Sequence, residues 1–139
     1  MLQKKEINKL LDDLQDYLFP GFFSNKVIGK DDVVFDLCKI FKKLEVKEYK
    51  ASKFVDKIEK IKKLLLKDEE ATFNGDPASK SYEEIIMSYP GLYAIMVYRL
   101  AHELYINDVP MSYSFYDNIV TALMGVNREK VKSTSFCRN

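Results

Sequence analysis

The sequence of 139 residues contains few of the residues that form tight turns and metal sites. Its five glycines and four prolines supply too few turns for a many-stranded sandwich, a barrel or a β-solenoid. It has one histidine and two cysteines, Cys38 and Cys137, which lie far apart and form no CxxC pair. The sequence therefore predicts neither a zinc site nor a disulfide framework.

Long apolar runs and an excess of one charge are also missing. No segment approaches the roughly 18 consecutive apolar residues that a membrane span requires, and residues 1–23 mix charges into their apolar positions, unlike a signal peptide. The 22 Lys and Arg residues nearly balance the 21 Asp and Glu residues, which argues against a nucleic-acid binder that relies on bulk charge. We expect a cytoplasmic protein of one core, with reduced thiols and no contact with a membrane.

Apolar residues recur every three or four positions along residues 3–18, which predicts an amphipathic helix that ends at Pro20 and Gly21. Its inward positions are Ile7, Leu10, Leu11, Leu14 and Leu18. A second helix begins at Asp31 or Asp32, because a short carboxylate can cap the free amides of a first turn. Its predicted inward stripe is Val34, Leu37, Cys38 and Phe41. Cys38 is therefore expected in the core rather than at a reactive site.

A third, long helix is predicted from Glu48 to about Glu70. Lysines crowd its outer positions, but acidic residues interleave with them, which favours a solvated face over a nucleic-acid or membrane surface. Residues 71–80 then contain the turn-forming sequence Asn-Gly-Asp-Pro, which predicts a loop.

Two more helices are predicted after this loop. Ser81 and Glu84 match a capping box that begins a short helix, and Pro90 favours the first turn of the next one. Residues 92–106 are apolar on nearly every side, so this helix must be buried by neighbours within the domain or across a subunit contact.

Three polar residues interrupt that apolar helix. Arg99 and Glu103 are four positions apart and can form an ion pair. His102 has no nucleophile motif nearby, which favours a hydrogen-bonded histidine within a packed helix over a catalytic group.

Asp76 is the residue of the predicted loop that is best suited to chemistry. The ring of Pro77 fixes its own backbone angle and restricts Asp76 to extended conformations. A carboxylate held in this way either caps a helix or holds an ammonium group, and the residues alone favour the cap. The sequence contains no Gly-rich phosphate loop, no GxSxG motif and no HExxH motif.

Residues 75–110, GDPASKSYEEIIMSYPGLYAIMVYRLAHELYINDVP, resemble the end of the helical N-terminal domain of bacterial serine O-acetyltransferases. The upstream segments LFPGFF and ATFNGDPA are similar to the longer N-terminal domains of one branch of that family. The resemblance implies an all-α bundle of five or six helices over residues 1–112. It also implies self-association as a trimer or a dimer of trimers, in an enzyme that acetylates L-serine from acetyl-CoA on the path to cysteine.

The resemblance also implies how the chemistry is divided. In that family the aspartate of the DP pair contributes to the serine site, and it corresponds to Asp76, whose carboxylate suits the substrate's ammonium group. The histidine that His102 matches is not the catalytic base. The base and the groups that bind coenzyme A belong to a C-terminal left-handed β-helix. The chain is therefore expected to hold no catalytic residue, cofactor or metal, with acetyl-CoA as the co-substrate of the full-length family.

Residues 113–139 do not resemble the family. They predict a short helix from Tyr113 to Met124 and a frayed end. The abrupt departure favours a truncated or frame-disrupted product over a stand-alone relative, and neither is expected to transfer acetyl groups alone. Two alternative functions remain. One is a helical interaction module that buries residues 92–106 and the aromatic tail against a partner. The other, less favoured, is a nucleic-acid binder that uses the third helix.

Overall fold

The computed structural model describes residues 2–75, 90–111 and 114–118, and the statements below concern these residues. They contain four long helices and no strand, which confirms the all-α prediction. Residues 114–118 are also helical, within the short helix predicted there. The helix predicted after Ser81 and the rest of the tail, with Cys137, lie outside the described residues. The long helices are α1 (Lys4–Leu18), α2 (Lys30–Lys43), α3 (Tyr49–Gly75) and α4 (Pro90–Ile106).

The core lies where α3 packs against both α2 and α4, and α2 packs against α1. All five inward positions predicted for α1 are buried, because its apolar residues follow the helical period closely. α3 contributes six residues to the buried cluster, and Phe115 of the short helical stretch belongs to the same cluster. The buried residues of α3 are Ala51, Phe54, Val55, Ile58, Ile61 and Leu65.

The start of α2 differs from the prediction. Gly29 is the N-cap, and neither Asp31 nor Asp32 takes that place. Asp32 lies inside the first turn, where its carboxylate Oδ2 accepts a hydrogen bond of 2.8 Å from the backbone N–H of Gly29. The aspartate still satisfies a free amide, but from the third helical position rather than from the cap.

The inward face of α2 is also turned by about one position from the predicted stripe. Its buried residues are Val33, Leu37, Ile40 and Phe41, whereas Val34 and Cys38 are only half-buried. Burial still raises the pKa of the Cys38 thiol, as does the charge of Glu48. A thiol with a raised pKa stays protonated at neutral pH, which fits an unreactive cysteine at the edge of the core.

α3 is longer than predicted. It is helical through residues 71–75, which the turn-forming composition had assigned to a loop. Asp76 is the next residue in the chain.

Two helix ends are closed without glycine. Glu45 after α2 and Asp108 after α4 both have φ of 58°. In each case the next residue returns a hydrogen bond to the helix: Val46 N–H donates to Phe41 O at 2.8 Å, and Val109 N–H donates to Leu104 O at 3.0 Å. These are the closures that glycine usually provides, so the chain turns with few glycines by placing acidic residues in the left-handed region.

Candidate functional site

Asp76, the site residue suggested by the sequence, lies outside the described residues. The structure does describe the helix that leads to it. α3 is described up to Gly75, the residue that precedes Asp76 in the chain.

Arg99 forms its ion pair with a different partner from the one predicted. Its Nε donates to Asp68 Oδ2 at 2.9 Å and its Nη2 donates to Asp68 Oδ1 at 3.1 Å. The predicted partner Glu103 instead accepts a hydrogen bond of 3.2 Å from Asn107 Nδ2. The planar guanidinium and carboxylate match in two parallel bonds, which the weaker Arg-first pairing along one helix does not offer. This pair joins α4 to α3.

His102 is exposed, which corrects the expectation of a histidine within a packed helix. Leu100, Ala101 and Leu104 turn toward the core, which leaves position 102 on the outer side of α4. There the imidazole stacks on Tyr98, with ring centroids 6.1 Å apart and planes 13° from parallel.

The described part of the chain buries only one face of α4. Tyr98, Tyr105 and Ile106 on this helix are 52%, 64% and 55% exposed. A helix that is apolar on nearly every side therefore keeps uncovered apolar surface on the described bundle. Such surface is typical of a helix that packs against a further element or a second chain.

An open groove of about 470 Å³ lies between α3 and α4. Its α3 wall carries three exposed lysines, the groove lysines Lys53, Lys57 and Lys60, above an apolar floor. The floor residues from α3 are Ile61 and Leu64. The α4 wall consists of Tyr98, Arg99, His102, Glu103 and Ile106.

Hydrogen bonds hold the end of this groove where α4 terminates. Lys50 at the start of α3 donates its Nζ to the backbone carbonyl of Asn107 at 2.8 Å. The side chain of Asn107 in turn donates to the carbonyl of Glu103 at 2.7 Å. The Arg99–Asp68 pair joins the two helices farther along α3, so both walls are tied together on either side of the groove lysines.

A second polar feature, which the sequence analysis did not identify, is a pair of buried aspartates on α1. Asp13 and Asp16 are only 3% and 6% exposed, within the apolar face of the helix. Lys9 Nζ lies 2.9 Å from Asp13 Oδ2, and Ser24 Oγ donates to Asp16 Oδ2 at 2.9 Å. The bond from Ser24 attaches the segment that follows α1 to the helix, whereas the bond from Lys9 lies within α1. Both satisfy carboxylates that would be costly to bury alone.

The carboxyl group of Asp13 also interacts with that of Asp36 of α2. Burial raises the pKa of Asp36, and its hydrogen bond to Asp13 raises it further. Burial also acts to raise the pKa of Asp13, but hydrogen bonds from Asp36 and Lys9 outweigh it and lower that pKa overall. Two neighbouring carboxyl groups in one environment resist ionising together. Their position between α1 and α2 indicates a structural role.

The described residues contain neither a metal-binding cluster nor a membrane-spanning helix. Among residues 2–75, 90–111 and 114–118, no group of three or more His, Cys, Asp or Glu side chains is arranged to hold a metal ion. None of the helices described there is both long and apolar enough to cross a membrane.

Several curated serine acetyltransferases are similar to part of this chain, although no family model matches it. The plasmid serine acetyltransferase of Synechococcus elongatus is 45% identical over 58 residues, which are 42% of this chain and 18% of that protein. The serine acetyltransferases of Bacillus licheniformis and Bacillus subtilis are 49% and 46% identical over 43 residues, 31% of this chain and 20% of each relative. The chain thus spans about a fifth of the length of the curated relatives it matches.

A solved structure extends the similarity over most of the described bundle. Serine acetyltransferase isoform 3 from Entamoeba histolytica, determined in complex with cysteine, superposes with a TM-score of 0.67 and 29% identity. The match covers 84% of this chain and 45% of that one. The resemblance to serine acetyltransferases that the sequence motifs suggested is confirmed.

Proposed function

We propose that this chain is the N-terminal helical domain of a serine O-acetyltransferase, which associates with further copies and contributes part of the serine site. The observation that carries the proposal is the superposition on the Entamoeba enzyme over 84% of the chain. The domain comprises residues 1–112, and residues 113–139 form a divergent tail. The domain acts in the cytoplasm, on the route to cysteine.

Asp76 is the residue of this chain that binds the substrate. Its carboxylate holds the ammonium group of L-serine by a charge-assisted hydrogen bond, so that the hydroxyl group faces the acetyl donor.

Acetyl transfer itself needs groups that the proposal assigns to the catalytic part of the family's enzymes. Deprotonation of the serine hydroxyl requires a positioned base. His102 is exposed and stacked on Tyr98, and the proposal gives it no role as that base. The chain alone therefore binds no cofactor and transfers no acetyl group, and acetyl-CoA is bound by the remainder of the enzyme.

A chimera tests the proposal directly. Residues 1–112 replace the corresponding segment of the Bacillus subtilis serine acetyltransferase, and acetyl transfer from acetyl-CoA to L-serine is measured. We expect activity in the chimera and none in the isolated chain. Asp76→Asn in the chimera is expected to raise the KM for L-serine at least tenfold, the effect of losing about 1.4 kcal/mol. The matched control Asp31→Asn removes the same charge from an exposed site on α2 and should leave the KM unchanged.

Two results would contradict the serine-site assignment: an unchanged KM in Asp76→Asn, or an equal rise in Asp31→Asn. An inactive chimera that is folded and correctly assembled would contradict the domain assignment as a whole.

The exposed apolar residues of α4 support a second candidate, a non-catalytic interaction module. Sedimentation of the isolated chain tests what the two candidates share, because both predict association with rising concentration. The Asp76→Asn chimera then separates the two, since a pure interaction module leaves the KM for L-serine unaffected. A chain that stays monomeric at high concentration contradicts both forms of self-association.

A further inference from the structure

The groove between α3 and α4 carries an excess of positive charge that the fold does not use. Within the described residues, none of the ion pairs involves Lys53, Lys57 or Lys60. Arg99 on the opposite wall is neutralised by Asp68, and Glu103 is the carboxylate that lines the groove itself. Three ammonium groups against one carboxylate leave a groove that favours an anion.

The spacing of the groove lysines suits more than one anionic group. Lys53, Lys57 and Lys60 follow the i, i+4, i+7 pattern, which places them on one face of α3. With a rise of about 1.5 Å per residue, they extend along about 10 Å of the helix. Two linked phosphates have the length and the charge to contact all three ammonium groups along that span.

Apart from Arg99, Glu103 and Asn107, the rest of the groove is lined by apolar and aromatic side chains. Ile61 and Leu64 form its floor, and the stacked rings of Tyr98 and His102 form part of the facing wall. A volume of about 470 Å³ is that of a small-molecule site. A long nucleic acid would need basic charge well beyond the groove, but Asp56 and Glu59 on α3 lie beside the groove lysines.

We infer that this groove binds an organic diphosphate. The two phosphates lie along the groove lysines, and the organic part packs on the apolar floor against the Tyr98–His102 stack. The inference does not rest on the serine-site proposal, because its residues lie between α3 and α4 and do not include Asp76.

Calorimetric titration of the full chain with ADP and with pyrophosphate tests this inference. We expect both to bind, with an affinity that falls as salt is raised from about 50 to about 300 mM. The double variant Lys57→Gln/Lys60→Gln should weaken both ligands at least tenfold. Its control, Lys63→Gln, removes one positive charge from an exposed position of α3 outside the groove and should change neither affinity by more than about twofold.

A further variant distinguishes the two parts of the ligand. Tyr98→Ala should weaken ADP severalfold and leave pyrophosphate nearly unchanged, because only ADP has an organic part to pack on the aromatic wall. Three results would overturn the inference. They are no binding of either ligand at low salt, equal losses of affinity in Lys63→Gln and in Lys57→Gln/Lys60→Gln, or a single-stranded oligonucleotide that binds far more tightly than ADP and is insensitive to the groove variants.

Discussion

The Arg99–Asp68 pair should contribute measurably to stability, since it joins α4 to the second half of α3 through two hydrogen bonds of 2.9 and 3.1 Å. Arg99→Met removes the charge and keeps most of the aliphatic stem, so packing along α4 is largely retained. Asp68→Asn removes the opposite charge at constant size. The two single variants and the double variant form a cycle that isolates the coupling energy, whatever else each side chain contacts.

The expected magnitude follows from geometry and burial. The two side chains are 28% and 23% exposed, which lies between a surface pair and a buried one. Exposed pairs contribute about 0.2–1 kcal/mol, and removal of one partner of a buried pair costs about 3–5 kcal/mol. Two parallel charge-assisted bonds in a partly buried site therefore give a coupling of about 1–2 kcal/mol. For a chain of this length, such a change moves the Tm by roughly 3–8 °C.

Urea unfolding followed by far-ultraviolet circular dichroism measures each corner of the cycle. The cycle of Arg99→Met with Glu103→Gln is the matched comparison, because it tests the partner four positions along the same helix. We expect its coupling to stay below about 0.5 kcal/mol. The reasoning is refuted if the coupling of Arg99 with Asp68 is also below about 0.5 kcal/mol, or if that of Arg99 with Glu103 equals it.

Further predictions concern Asp36 of α2 and the acidic residues that follow α2 and α4. The pKa of the Asp36 carboxyl is raised by burial and by its bond to Asp13, so the folded state binds the carboxyl proton more tightly than the unfolded state does. The free energy of unfolding therefore falls as the pH rises from the ordinary carboxyl pKa of 3.8 through the raised pKa. Asp36→Asn keeps a hydrogen-bond donor at every pH, so its free energy of unfolding should exceed that of the parent at pH 7 and approach it at low pH. The explanation is contradicted if the variant is less stable than the parent by more at pH 7 than at low pH. Glu45→Gly should stabilise the chain by about 0.5 kcal/mol in urea unfolding, because relief of a left-handed φ of 58° exceeds the entropic cost of glycine. Asp108→Gly should gain less, since aspartate tolerates this conformation better, and equal gains would argue against the explanation.

Helical periodicity identified the long elements because each side of a helix repeats at a fixed interval. The stripe of α1 was predicted in full, whereas that of α2 was displaced toward Val33 and Ile40. Apolar residues also occur at neighbouring positions of α2, and pattern alone does not say which of two adjacent faces a partner will cover. α3 was predicted to about Glu70 but is helical through Gly75, because turn-forming composition alone does not stop a helix.

Among the site residues, those marked by a local motif were predicted and those that depend on tertiary contacts were not. Asp76 was suggested by a motif and a resemblance, which are local features of the chain. The buried Asp13 and Asp16 were missed, although both lie among the apolar positions of α1, because their burial depends on Ser24 and Lys9 satisfying them. The groove is lined by residues more than forty positions apart in the sequence, such as Lys57 and His102. Sequence periodicity does not predict which residues of two helices lie close together, because that depends on how the folded helices pack.

α3 connects the two proposed sites physically. Its first half carries the groove lysines, and its last turn leads to Asp76. The bond from Asp68 to Arg99 lies between them, seven residues or about 10 Å before Gly75. A helix bends little over this length, so a tilt of α3 against α4 displaces the point from which Asp76 continues. Neutralising the groove lysines changes charge without changing that contact, whereas replacing Arg99 and Asp68 together changes the contact at constant net charge. A charge change at the groove lysines should therefore affect the groove alone, whereas a change in the packing of α3 against α4 should affect both sites.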